Sequence, residues 1–182
     1  MTTQTVISLL AALTLSSNIA FLVLLLWFFL AKSVKGLAKS WSKIEKSLSI
    51  KSVRLALLFS GTATLSSLYF SEIAGFEPCK LCWLQRIFMY PLPIILGVAL
   101  WNSLKDSFKY VLPLSAIGLA IAAYHYYYQI TGNPLIPCST VGFSVSCSER
   151  FFTYYGYITI PWMSLSAFAY IFLLGLLVRK TN

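Results

Sequence analysis

At 182 residues, 58% hydrophobic, 16% aromatic and only 10% charged, the chain has too few polar residues to clothe a soluble domain. Its 14 Lys and Arg against 5 Asp and Glu give a net charge of +9, but most of these cations flank the apolar runs or lie between them. That distribution argues against a nucleic-acid-binding face and for a membrane protein whose basic loops report topology.

Five segments are long enough to cross a hydrocarbon core, near 6–31, 53–74, 83–102, 109–130 and 156–178. The fold class expected is an all-α membrane protein. A four-helix transmembrane bundle at 53–178 carries an extra N-terminal transmembrane helix at 1–31 and a basic amphipathic interfacial helix within 32–52, with a short tail at 179–182. Lys32, Lys35, Lys39, Lys43, Lys46, Lys51 and Arg54 precede the second span, Lys105 and Lys109 join the third and fourth, and Arg179 and Lys180 follow the last. On the positive-inside rule these mark the cytoplasmic side, leaving Lys80, Arg86 and Arg150 outside with the N-terminus. The expectation is a multi-pass protein of the bacterial cytoplasmic (inner) membrane, its C-terminus cytoplasmic and its partners including lipid but no nucleic acid.

In chain order, residues 1–31 lack a basic start and a small-residue cleavage site, which favours a retained anchor over a cleaved signal. Val34, Leu37, Trp41, Ile44 and Leu48 then step by three and four with lysines between, the pattern of a helix lying on an anionic leaflet. The second span is rich in small residues from Ser60 to Ser67, which permit close helix approach in lipid.

The run Glu77-Pro78-Cys79-Lys80-Leu81-Cys82-Trp83-Leu84-Gln85-Arg86 follows. Pro78 reads as a helix start, and Cys79, Cys82 and Arg86 at spacings of three and four share a helix face. A first-turn thiol feels the positive helix end, which favours thiolate, and Arg86 adds a permanent cation. Pro91 and Pro93 in the third span predict a kink, and 102–108 a tight turn. Tyr124-His125-Tyr126-Tyr127-Tyr128-Gln129 suits either an interfacial aromatic belt or the wall of a pocket for a flat ring. A polar loop from 131 to about 155 holds Cys138 and Cys147, and Gly156 opens the last span.

All four cysteines therefore fall on the extracytoplasmic side, where disulfides persist. Three chemistries compete: structural disulfides, a four-thiolate metal site, and thiol–disulfide exchange. Cys-x-x-Cys closes too small a loop to be an effective staple, and the second pair does not repeat a metal-ligand spacing. Exchange then needs a terminal acceptor, and at a membrane surface the expectation is a lipid-soluble quinone beside Arg86.

Taken together, Cys79-Lys80-Leu81-Cys82 with Gln85-Arg86, His125 with Gln129, the Cys138/Cys147 pair, and Gly156-Tyr157-Ile158-Thr159-Ile160-Pro161-Trp162 resemble the DsbB/BdbC family of quinone-linked thiol oxidases over about 53–178. The resemblance implies a catalytic relay through Cys79, Cys82, Cys138 and Cys147 that reoxidises a DsbA-like thioredoxin-fold protein and reduces ubiquinone or menaquinone. It implies that Cys138 receives the partner, that Cys147 pairs with Cys79, and that Cys82 meets the quinone. Arg86, His125 and Gln129 are the implied quinone-binding residues, and no metal is implied. Gln85 stands where an acidic residue can occur, and residues 1–52 have no counterpart in the four-helix core. Alternatives are a membrane scaffold with structural disulfides, a quinone reductase like vitamin K epoxide reductase, and a relay running in the reducing direction.

Overall fold

A computed structural model describes residues 2–33, 35–102, 106–133 and 146–181, with side chains omitted at 35–38 and 180–181. Six α-helices account for most of it: α1 (Thr3–Ser33), α2 (Lys35–Leu68), α3 (Lys80–Met89), α4 (Pro91–Trp101), α5 (Phe108–Thr131) and α6 (Ile160–Thr181). They make five spans long and apolar enough to cross a membrane, with α3 and α4 together forming the third. The described residues form no sheet, only an isolated antiparallel bridge between Tyr154 and Ile158. The chain is an all-α membrane protein.

The third span is divided into two helices where the prolines act. Tyr90 keeps helical angles (φ −65°, ψ −33°) and its N–H still donates to the Arg86 carbonyl at 2.9 Å. Pro91 then has no N–H to continue the ladder, so α4 starts afresh with Pro91 in its first turn.

Two boundaries differ from expectation. The basic amphipathic segment is helical, but Lys35–Leu68 is one continuous helix, so no break separates it from the second span. Nothing between Lys39 and Leu68 interrupts the ladder, because the stretch holds no proline and its lone glycine, Gly61, is tolerated mid-helix. The last helix begins at Ile160 instead of 156, because Tyr155 (φ 52°) and Gly156 (φ 79°) take left-handed angles in a tight turn.

The bundle core lies among α2, α4, α5 and α6, with Leu92, Leu96, Val111, Phe168 and Ile171 wholly or almost wholly buried. Here α5 and α6 pack at close range. A Cβ on Gly118 would lie 2.2 Å from the Phe168 ring, so the missing side chain is what admits the ring.

The N-terminal helix α1 packs against α2 and α6. Asn18 Oδ1 accepts hydrogen bonds from Ser166 Oγ (3.2 Å) and from the Tyr170 hydroxyl, while Phe21 lies 5.6 Å from the Tyr170 ring, centroid to centroid. Near its start, Gln4 Nε2 donates to the Tyr154 hydroxyl at 3.1 Å. The antiparallel order of spans brings the start of α1, the end of α2, the start of α3, the end of α5 and the start of α6 to one end of the bundle.

Candidate functional site

At that end α2 finishes in a π-helical turn, Tyr69–Ile73, and the Phe76 N–H reaches back to the Phe70 carbonyl at 2.8 Å. Phe76 then stacks on Phe151 with centroids 4.7 Å apart, which anchors the short loop that delivers the chain to Pro78. Cys79 is the N-cap of α3, in extended conformation (φ −71°, ψ 172°), and its sulfur accepts the Cys82 backbone N–H at 3.4 Å. A cysteine sulfur thus occupies the place that Ser or Asp oxygen normally fills at a helix start.

Cys79 and Cys82 are both free thiols, with their Sγ atoms 3.1 Å apart. Hydrogen bonding from Cys82 holds the Cys79 thiol well below its ordinary range; burial opposes that, and the His125 ring adds to it. Cys147 is buried and disulfide-bonded. Since Cys79 is free, the pairing of Cys147 with Cys79 implied by the resemblance is not the one present. Cys79, Tyr128 and Cys147 nevertheless pack together, with Leu81 and Cys82 against them. Cys138 lies outside the described residues.

His125 sits between the two cysteine regions and is only 3% exposed. Its Nε2 lies 3.1 Å from the Cys147 carbonyl oxygen and 3.6 Å from Cys79 Sγ. A carbonyl can only accept, so Nε2 carries the proton and points it between that oxygen and the Cys79 sulfur. Nδ1 is 2.9 Å from Gln85 Nε2, an amide donor, which fits the neutral tautomer. Gln85 is buried and projects from the same face of α3 as Cys82 and Arg86.

Arg86 is fixed from α2. Its Nε donates to Ser67 Oγ (3.0 Å) and its Nη2 to the Ser67 carbonyl (3.1 Å), while the guanidinium carbon lies 5.0 Å from the Trp83 ring centroid and 6.0 Å from that of Tyr90. Among the described residues neither Glu72 nor Glu77 is within ion-pair distance of it; the one pair there is Lys109–Asp106 at 3.2 Å. The cation therefore rests on dipoles and ring faces, with no carboxylate of the described residues within ion-pair distance.

A cavity of about 410 Å³ opens beside this face of α3, bordered by Cys82, Gln85, Arg86 and Met89, by α2 and α6, and by α1. Positions 82, 85, 86 and 89 follow the spacing of one helical face. Its volume lies in the range that accepts a small organic ligand, and its walls are mostly apolar with Arg86 as the one cation. A smaller void of about 20 Å³ lies behind it, bordered by Cys79, Cys82, His125, Gln129 and Cys147. The structure thus divides the expected ring-binding set. Arg86 borders the large cavity, whereas His125 and Gln129 border the small void. Gln129 donates to the Glu149 carbonyl at 3.0 Å, and Arg150 donates to the Gln129 carbonyl at 2.7 Å, so this part of α5 clamps the loop that carries Cys147.

Cys79, Cys82 and His125 place three ligand-type atoms within 4.8 Å of one another. Two thiolates and an imidazole could hold a soft divalent ion. Nε2, however, faces the Cys147 carbonyl, which needs its proton.

Two positioning residues escaped the sequence reading. Ser67 looked like one more small residue of a packing face, and Gln85 like a departure from an acidic position. Gln85 carried a signal in its spacing from Cys82; its pairing with His125, 40 residues away, had none.

Comparison with known proteins agrees with this arrangement. The family described as disulfide bond formation protein DsbB matches residues 50–178. A protein of Bacillus subtilis (strain 168) named SPbeta prophage-derived disulfide bond formation protein B is 48% identical over 128 residues, 70% of this chain and 85% of that one. Disulfide bond formation protein C of the same organism is 44% identical over 119 residues, 64% and 84% of the two chains. A probable disulfide formation protein of Oceanobacillus iheyensis is 40% identical over 141 residues, 74% and 95%. No solved structure matches the chain. A helical membrane bundle with a free Cys-x-x-Cys pair beside a disulfide-bonded cysteine defines a multi-pass oxidoreductase of disulfide bond formation. The chain belongs to the DsbB family.

Proposed function

We infer that the protein reoxidises an extracytoplasmic thioredoxin-fold dithiol protein of the DsbA type and passes the electrons to a membrane quinone. The observation that carries this reading is the shared wall: Cys82 and Arg86 border the same apolar cavity, with Cys79 and the Cys147 backbone immediately behind. On this reading the Cys138/Cys147 pair exchanges with the partner, then with the Cys79/Cys82 pair. The positive-inside distribution supports placing these thiols outside a bacterial cytoplasmic membrane.

When bound, a quinone supplies a two-electron, two-proton sink, so the overall exchange is partner dithiol plus quinone to partner disulfide plus quinol. The residues present fit such a ring: Arg86 has N–H groups beyond the two given to Ser67, and these serve a ring oxygen. The His125 N–H, directed between the Cys79 sulfur and the Cys147 carbonyl, stabilises charge on whichever sulfur leaves during exchange between the two pairs. Gln85 fixes that tautomer.

Purified protein mixed with a reduced thioredoxin-fold partner should form one quinol per partner disulfide, and Cys82→Ser should abolish quinol formation. A Cys147→Ala protein mixed with the oxidised partner should form a mixed disulfide, the free Cys138 thiolate attacking the partner disulfide and displacing one partner thiolate. Full turnover by Cys82→Ser would overturn the assignment.

A further inference from the structure

The cavity beside Cys82 is not enclosed by the DsbB-like region alone. Leu10, Leu13, Thr14 and Ser17 of α1 border it, and α1 lies wholly outside the residues that match the family. Positions 10, 14 and 17 step by four and three, so they form one stripe along the helix, with Leu13 beside it. Thr14 and Ser17 give their hydroxyl protons to the Leu10 and Thr14 carbonyls of their own helix, at 2.8 Å each. Both side chains are small, and both border the cavity. On the other side of α1, Ile19 and Leu26 are 53% and 61% exposed, as residues that face lipid should be.

The helix is also held in register with the cavity. Asn18, one residue beyond Ser17, accepts from Ser166 and Tyr170, and both of those residues border the cavity from α6. A polar side chain in the middle of an apolar span costs free energy unless it finds such a partner. Asn18 therefore fixes which face of α1 covers the site.

We propose that α1 is a built-in wall of the electron-acceptor site, and that Thr14 and Ser17 set the size of the lipid-soluble quinone this chain holds. This rests on the quinone reading above. In the absence of α1 that side of the cavity would open to lipid. With it, the ring is enclosed by a helix the catalytic bundle does not supply, and retention of the acceptor becomes separable from its reduction.

The test is equilibrium binding to the full chain in detergent, with decyl-tailed benzoquinone and naphthoquinone as probes and bound quinone extracted and quantified. Thr14→Phe and Ser17→Phe should each bind roughly tenfold more weakly, the equivalent of about 1.4 kcal/mol. Thr14→Val, of nearly the same volume, and Ile19→Phe, on the lipid side, should bind as the unaltered chain does. Each variant is checked for exchange with a thioredoxin-fold dithiol, which reports that the thiol end is intact. If both Phe variants exchange normally and bind either quinone with unchanged affinity, the proposal is overturned. If the unaltered chain binds neither quinone, it is the functional reading that fails instead.

Discussion

The ionisation of Cys79 can be read directly. A free thiol with a pKa of about 8.5 is only about 3% thiolate at pH 7, whereas Cys79 is held well below that range, chiefly by the Cys82 side chain and then by His125. In Cys82→Ser the hydroxyl can still donate across the 3.1 Å gap, and Cys79 is left as the thiol to follow, since Cys147 is held in a disulfide. The measurement is the rate of iodoacetamide alkylation at Cys79 against pH, with the site identified by peptide mass. A lowered pKa means the rate stays on its plateau through neutral pH and falls only as pH drops through the shifted value. Cys82→Ala removes the leading donor, so its profile should move up toward about 8.5 and its thiolate fraction at pH 7 should fall by as much as about 30-fold. His125→Ala should move the midpoint in the same direction by less. Intrinsic nucleophilicity also declines with pKa, so the midpoint is the decisive quantity and absolute rate is not. A midpoint near 8.5 in Cys82→Ser, or no difference between the Ser and Ala variants, would refute the geometry-based reasoning.

Three further outcomes follow from the packing and the polar contacts. Gly118→Ala should destabilise the detergent-solubilised protein by about 1–3 kcal/mol, and Phe168→Leu should recover part of that loss; strictly additive thermal shifts in the double variant would show that the two residues do not meet. Ser67→Ala removes the acceptor of the Arg86 Nε, a charge-assisted bond of about 1.5–3 kcal/mol, and should weaken quinone binding while partner exchange persists. Gln85→Leu leaves a buried His125 nitrogen without its donor, at about 1–3 kcal/mol, and should lower the thermal midpoint more than the lipid-facing Leu84→Gln does.

The sequence made the membrane architecture legible because hydropathy is a local signal: each span announces itself through some twenty consecutive residues. The helix start at Cys79 was equally local, set by Pro78 and the Cys-x-x-Cys spacing. What escaped was relational. Nothing in Ser67 distinguishes an arginine anchor from a packing residue, because its role comes from the rotation of α2 against α3. His125 and Gln129 were implied as quinone-binding residues by the family resemblance, yet α5 is turned so that both meet the loop before α6 and neither borders the larger cavity. The role of α1 was invisible for the same reason. A predominantly apolar helix does not say which stripe meets protein, and only the short polar run from Thr14 to Asn18 marks it.

The unbroken α2 has a mechanical implication. At about 1.5 Å per residue its 34 residues extend roughly 51 Å, against roughly 30 Å of hydrocarbon. Even at the steepest common tilt, about 40°, the rod rises roughly 39 Å, so at least about two turns must emerge among the headgroups. The end of the rod remote from the thiols carries Lys39, Lys43, Lys46 and Lys51. Anionic phospholipid would grip them like a keel, setting the depth at which the whole redox apparatus floats.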